Sequence, residues 1–237
     1  MMPYVITLTG ASQCGKSHVI EILHKLGNDP LYSKRDFHPV TFQKFTTRDF
    51  RDYEISAILN GKGDTLDQRP VIGRWNESEG LDIEQLRYKR MVAFKKLQCD
   101  LAYEQFGDRY GLRLKDLYVH LKNCQTPIVV LNDVRTVEDI KTKLGGQCFS
   151  IFIFREVPNK EHFLKIGKER NEPLNITEIR FKKAENIYRI YIENIHIFDK
   201  LILNVGEDAD SLEKILRSLV EYLCQPMKTF SSGGKYA

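Results

Sequence analysis

At 237 residues with 42% apolar and 29% charged side chains, the chain has the balance of a globular domain with a buried core, which excludes a disordered tail or a membrane protein. A formal charge of +4 on dispersed lysines and arginines argues against duplex nucleic acid and makes small anions the natural ligands. No apolar run reaches the ~18 residues of a membrane span, MMPYVITLTG lacks a signal-peptide pattern, and five cysteines without a CxxC pair read as free thiols, so a cytoplasmic protein with no membrane partner is expected.

In chain order, YVITL (4–8) predicts a strand, and Val19, Ile20, Leu23 and Leu26 predict a helix starting near Lys16. Residues 28–38 and 60–70 predict loops, separated by a short strand PVTF at 39–42. A charged helix is expected over 83–105 from the spacing of Met91, Phe94, Leu97 and Leu101. PIVVL (127–131), CFSIFIF (148–154) and KLILN (200–204) are continuous apolar runs, as strands of a parallel sheet covered on both faces require. Residues 175–194 predict one long helix, with Asn175 and Glu178 in capping-box spacing. A last helix at 211–223 carries Leu212, Ile215, Leu216, Leu219 and Leu223 on one stripe. No internal repeat is visible, and the ending KTFSSGGKYA is given no role.

Between the first strand and helix stands GASQCGKS, which fits G-x-x-x-x-G-K-[ST]. Such a loop turns backbone N–H groups onto an anion at a helix N-terminus, while the lysine reaches outer phosphates and the hydroxyl ligates Mg²⁺. Gly10, Ala11, Ser12, Gln13, Cys14, Gly15, Lys16 and Ser17 are therefore the expected nucleotide-binding residues. Cys14 reads either as a small side chain filling the loop or as a redox-sensitive thiol beside Lys16. Further on, KFTTRDFRDYE (44–54) spaces Arg48 and Arg51 three apart, and paired guanidinium groups grip a phosphate dianion bidentately.

With these segments the sequence resembles the guanylate kinase family of nucleoside monophosphate kinases. The resemblance rests on the phosphate loop, on TTR-x-x-R at Thr46, Thr47, Arg48 and Arg51, on FGDRYG with Tyr110, on PIVVLNDV with Asp133, and on IFDKLILN at 197–204. It runs from residue 4 to about 220 and implies an α/β, P-loop NTPase three-layer fold with a central parallel sheet, an inserted NMP-binding lobe and a short lid. The implied boundaries are a core of about 1–43 and 113–225, an acceptor lobe of about 44–112, a lid of about 165–180 and a tail of 226–237. Transfer of the γ-phosphoryl of Mg·ATP to GMP, dGMP or a related monophosphate is the implied activity, in a monomer or homodimer.

The resemblance also assigns roles. Lys16, Arg48, Arg180 and Asp133 would be catalytic, Ser17 and Asp133 would hold Mg²⁺, and Lys44, Arg48, Arg51 and Tyr110 would bind the acceptor. In the lid, Arg180 matches a family arginine best, Arg170 is assigned to ATP, and Lys165 and Lys168 are further cations. The family's guanine readers are replaced here by Lys44 and Leu112, and its guanine-reading glutamate aligns near Ala102, with Glu104 the nearest acid. A deoxy or modified pyrimidine monophosphate is therefore a rival acceptor, and a non-catalytic interaction module a rival role. Trp75 is read as core packing or as a stacking platform.

Overall fold

A computed structural model describes residues 4–47, 83–105, 107–155, 159–169, 172–204 and 209–225. Arg48, Arg51, Trp75, Arg170, the predicted loop at 60–70 and the tail at 226–237 lie outside the described residues.

The continuous apolar runs pair as their composition requires. Strands β1 (Val5–Gly10), β2 (Pro39–Phe42), β6 (Thr126–Val130), β7 (Cys148–Phe154) and β8 (Lys200–Leu203) form a parallel sheet in the order β2-β6-β1-β7-β8. Val5 pairs with Cys148 and Ile6 with Ile128, so β1 lies at the centre between β6 and β7. Alternation along β1 sends Ile6 and Leu8 to one face and Val5 to the other. On the first face they join Val19, Leu23 and Leu26 of α1 (Lys16–Gly27) and Leu212, Leu216 and Val220 of α9 (Ala209–Leu223). On the second face Val5, Val129 and Leu131 pack with Leu117 and Leu121 of α4 (Leu114–Lys122) and Val137 and Ile140 of α5 (Val134–Leu144). The result is a helix–sheet–helix sandwich. Each fully buried Leu or Ile contributes about 1.5–3 kcal/mol to it.

A second, antiparallel sheet has the order β3-β5-β4, from β3 (Phe45–Thr46), β4 (Leu101–Gln105) and β5 (Asp108–Leu112). Leu101 and Leu112 belong to the α4/α5 core cluster, which fixes this sheet on that side of the sandwich. Its hairpin pairs Tyr103 with Tyr110 and Ala102 with Gly111.

Four local expectations need correction. The helix expected over 83–105 stops as α3 at Ile83–Lys96, because Gln98 enters the left-handed region at φ 49° and Leu101–Gln105 takes up strand pairing. The expected loop at 28–38 contains a helical turn, α2 (Pro30–Ser33), capped by Asp29, whose carboxylate accepts from Leu31 N at 2.9 Å. The helix expected over 175–194 is two helices, α7 (Leu174–Glu185) and α8 (Ile187–Glu193). Asn186 divides them: its side-chain amide donates to the Lys182 carbonyl at 2.9 Å and competes with the helical backbone ladder. Nor is there a capping box, since Pro173 stands at the N-cap of α7 with no side-chain bond.

Candidate active site

The expected phosphate loop joins the C-terminal end of β1 to α1, at the point where the strand order reverses. Ligands of open α/β sheets bind at that crevice. Two glycines set the loop's shape. A Cβ on Gly10 would lie 2.4 Å from the Ile153 carbonyl of β7, so only glycine lets the loop cross that strand. Gly15 stands at the N-cap of α1 with φ 94°, a left-handed conformation natural to glycine, and offers no side-chain cap. The first N–H groups of α1 are thereby left for an anion.

Lys16 folds over this loop. Its Nζ donates to Gly10 O at 2.8 Å and Ala11 O at 2.6 Å and lies 3.6 Å from Cys14 Sγ. Burial holds its ammonium below the ordinary lysine value, Cys14 opposes that shift, and the charges of Lys183 and Arg180 reinforce it. Cys14 itself is buried, packed where a Cβ on Gly10 would fall at 2.7 Å.

A narrow pocket opens beside the loop. It is lined by Thr9, Gly10, Ala11 and Ser12 of the β1 end and loop, by Gln105 and Asn132, and by Arg180 and Lys183 of α7. Asn132 donates from Nδ2 to Gln105 Oε1 at 3.4 Å. Thr9 Oγ1 and Asn132 Oδ1 are buried and have no hydrogen-bond partner among the described residues. Such groups are rare in folded proteins unless a ligand or water serves them.

Arg180 reaches this pocket while its Nη1 donates to Glu172 in a largely buried ion pair, with side chains 12% and 7% exposed. Glu172 sits at the α6–α7 turn, where its N–H donates to Gly167 O at 3.0 Å. Helix α6 (Lys160–Glu169) is held against α7 by Phe163 and Phe181, with ring centroids 5.5 Å apart. Lys165 and Lys168 point from α6 into solvent.

Asp133 caps α5. Its Oδ2 accepts from Thr136 N at 2.9 Å and Thr136 Oγ1 at 2.7 Å. Its charge also acts on Lys183, whose ammonium partial burial pulls below the ordinary lysine value and Asp133 pushes back up. Ser17 is exposed in the first turn of α1. Among the described residues no group of three or more His, Cys, Asp or Glu is arranged to hold a metal. One hydroxyl and one carboxylate instead suit Mg²⁺, which takes most of its ligands from phosphates and water.

On the antiparallel sheet, Lys44 donates from Nζ to the Tyr103 hydroxyl at 2.6 Å and lies 5.1 Å from the Tyr110 ring centroid. Tyr103 and Tyr110 stack with centroids 5.2 Å apart and planes 16° from parallel. Burial, then the neighbouring Tyr110, pushes the Tyr103 phenol well above its usual value. Strand alternation turns Ala102 and Glu104 outward to solvent, and Leu112 is buried in the core. The residue facing Lys44 is therefore Tyr103, which sequence reading passed over. Thr47, next to Arg48, is anchored on β5: its N–H donates to Arg109 O at 3.0 Å and its Oγ1 accepts from Arg109 N at 2.9 Å.

Asn204, the last residue of IFDKLILN, braces the loop from β8 by donating its amide to Cys14 O at 2.9 Å. Asp199 of the same motif accepts from Lys141 Nζ at 2.9 Å, Ser150 N at 2.7 Å and Ser150 Oγ at 2.9 Å. Both contacts explain the motif as architecture around the site.

Comparison with known proteins agrees with this geometry at the level of the fold. Neither a family model nor a curated protein matches the sequence. Among solved structures, the chain is similar to guanylate kinase from Anaplasma phagocytophilum, with a TM-score of 0.54 and 15% identity over 95% of this chain and 88% of that one. The shared fold is a three-layer α/β arrangement with a central five-stranded parallel sheet. Dephospho-CoA kinase from Campylobacter jejuni also matches, at a TM-score of 0.42 and 12% identity, covering 94% of this chain and 98% of that one. The structure brings Arg180, Asn132 and Lys183 together around the pocket, with Lys16 bonded to the carbonyls of Gly10 and Ala11 that line it. Of these, Asn132 and Lys183 were not singled out from sequence, although Lys183 lies three residues after Arg180, one helical turn away.

Proposed function

We propose that the chain is an ATP-dependent nucleoside monophosphate kinase. The observation that carries this reading is a pocket lined by the loop residues Gly10, Ala11 and Ser12 and by Arg180, with Lys16 bonded to the carbonyls of Gly10 and Ala11. In the proposed reaction the bond between the γ-phosphorus and the β–γ bridging oxygen breaks, and an oxygen of the acceptor monophosphate forms the new bond to phosphorus. ADP and a nucleoside diphosphate result. The acceptor oxygen is already anionic, so positioning and charge neutralisation carry the catalysis.

The loop N–H groups and Lys16 would hold the donor phosphates, and Arg180 would neutralise charge on the group in transfer. Bound with ATP, Mg²⁺ would be held by Ser17 with Asp133 and would supply charge neutralisation on the phosphate oxygens. Residues 44–112 are read as the acceptor lobe, where Tyr110 and Lys44 with Arg48 and Arg51 would take the monophosphate, and 165–180 as the lid, with Arg170 on the ATP side.

GMP or dGMP is the acceptor that the family resemblance favours. The Lys44–Tyr103–Tyr110 cluster favours a second reading, a deoxy or modified pyrimidine monophosphate. An ammonium only donates hydrogen bonds, so it suits a carbonyl-rich base edge better than the N–H donors of guanine.

Turnover of a panel of ribo- and deoxynucleoside monophosphates with Mg·ATP, read by chromatography with Lys16→Ala as control, tests both. Phosphorylation of GMP or dGMP supports the first reading, and preference for a pyrimidine supports the second. A folded chain that binds ATP and phosphorylates no acceptor in the panel counts against both, and one that does not bind ATP points to an interaction module.

A further inference from the structure

We propose that Lys183 is a phosphate-binding residue, contacting the polyphosphate of the pocket's ligand beside Lys16 and Arg180. This rests on the kinase reading above and adds to it a residue outside the recognised motifs. Lys183 follows Arg180 by three positions on α7, so both project from one helix face. Both line the same pocket as the loop residues Gly10, Ala11 and Ser12.

The charges of Lys183 and Arg180 both act on Lys16, which places three cations within electrostatic range of one small space. Glu172 is paired with Arg180. Asp133, which acts on Lys183, has one carboxylate oxygen already committed to two hydrogen bonds with Thr136. Mutual repulsion of like charges in a partly desolvated pocket is unfavourable, and a multiply charged anion reverses it. The buried acceptors Thr9 Oγ1 and Asn132 Oδ1 of the same pocket add polar capacity that bound water or a ligand hydroxyl satisfies.

Position separates Lys183 from the other lysines of this region. Lys165, Lys168 and Lys182 do not line the pocket, whereas Lys183 does.

Calorimetric titration of the full chain with ATP, AMP and inorganic tripolyphosphate tests the assignment in wild type, K183A, K183R and K182A. K183A is expected to weaken ATP and tripolyphosphate by about tenfold, as loss of one charged hydrogen bond does. AMP affinity should change less than about twofold, K183R should recover most of the loss, and K182A should bind as wild type. Unchanged ATP and tripolyphosphate binding by a folded K183A overturns the proposal while leaving the kinase reading intact. So does an equal loss for ATP and AMP, which would mark a structural effect. A folded wild-type chain that binds neither ATP nor tripolyphosphate overturns the kinase reading and this assignment with it.

Discussion

Asn204 reaches from the end of the edge strand β8 to donate its side-chain amide to the carbonyl of Cys14, 190 residues earlier, at 2.9 Å. The same amide occupies the space beside Gly15, where a Cβ would meet its Nδ2 at 2.2 Å. The phosphate loop is thus held from outside as well as by its own glycines.

Replacing Asn204 should loosen that hold. N204A removes the donor and should cost about 1–2 kcal/mol in a denaturant titration. N204D sets a carboxylate against the Cys14 carbonyl and should cost more. In both, ATP affinity should fall further than AMP affinity. An N204D chain as stable as wild type would remove the brace from the account.

Gly15→Ala meets two obstacles. Its φ of 94° is strained for alanine, at about 1–2 kcal/mol, and its methyl collides with Asn204. The collision can be lifted and the backbone strain cannot. G15A/N204A should therefore be more stable than the sum of the single effects, by a coupling of about 0.5–2 kcal/mol in a double-mutant cycle. Strict additivity would refute the steric contact.

Lys16→Ala should reduce transfer by at least ~100-fold, the scale of losing one preorganised charged donor. It should leave a cooperative thermal melt, because its hydrogen bonds are to the loop's own carbonyls. Retained turnover would exclude Lys16 from the chemistry.

Asp199→Ala leaves the buried Ser150 without its carboxylate acceptor and takes the carboxylate from Lys141. The expected cost is about 1–2 kcal/mol in denaturant titration, since Ser150 Oγ and Lys141 Nζ both keep the Ile197 carbonyl. Activity per folded molecule, measured well below the melting transition, should change less than threefold (~3) because this hub lies outside the pocket. A melting point equal to wild type would show that the hub contributes nothing.

Cys148 provides a pH test. Burial, only partly opposed by Lys141, pushes its thiol from the ordinary 9.0 up to about 12. The folded state thus keeps a proton that the unfolded chain releases above pH 9.0. Its contribution to stability is complete below 9.0 and is lost as pH rises through about 12. The melting temperature of wild type relative to C148S should decline across that window. Native-state alkylation at neutral pH should label exposed Cys124 well before Cys148. Equal labelling rates would contradict the burial.

Much of this architecture is legible in the sequence because buried parallel strands announce themselves: PVTF and CFSIFIF span their strands to the residue. The phosphate loop is legible because its constraints are local. What escaped reading depends on register or distance. Leu101 stands at helical spacing from Leu97 and Phe94, and only pairing with Leu112 reveals it as the start of a strand. That register decides which side chain meets Lys44, and it selects Tyr103 over Ala102 and Glu104. Asn204 and Lys183 acquire meaning only once β8 and α7 are folded against the loop. Arg48 and Arg51, which the sequence pattern offers as acceptor-phosphate ligands, fall outside the described residues.

The pocket is lined from positions 9–12, 105, 132, 134, 152, 180, 183 and 190, so segments far apart in the chain meet there. A ligand spanning it would act as a reversible cross-link between distant segments. At a hundred times its dissociation constant it would add about 2.7 kcal/mol to the whole fold. Protease susceptibility far from the pocket would fall with it.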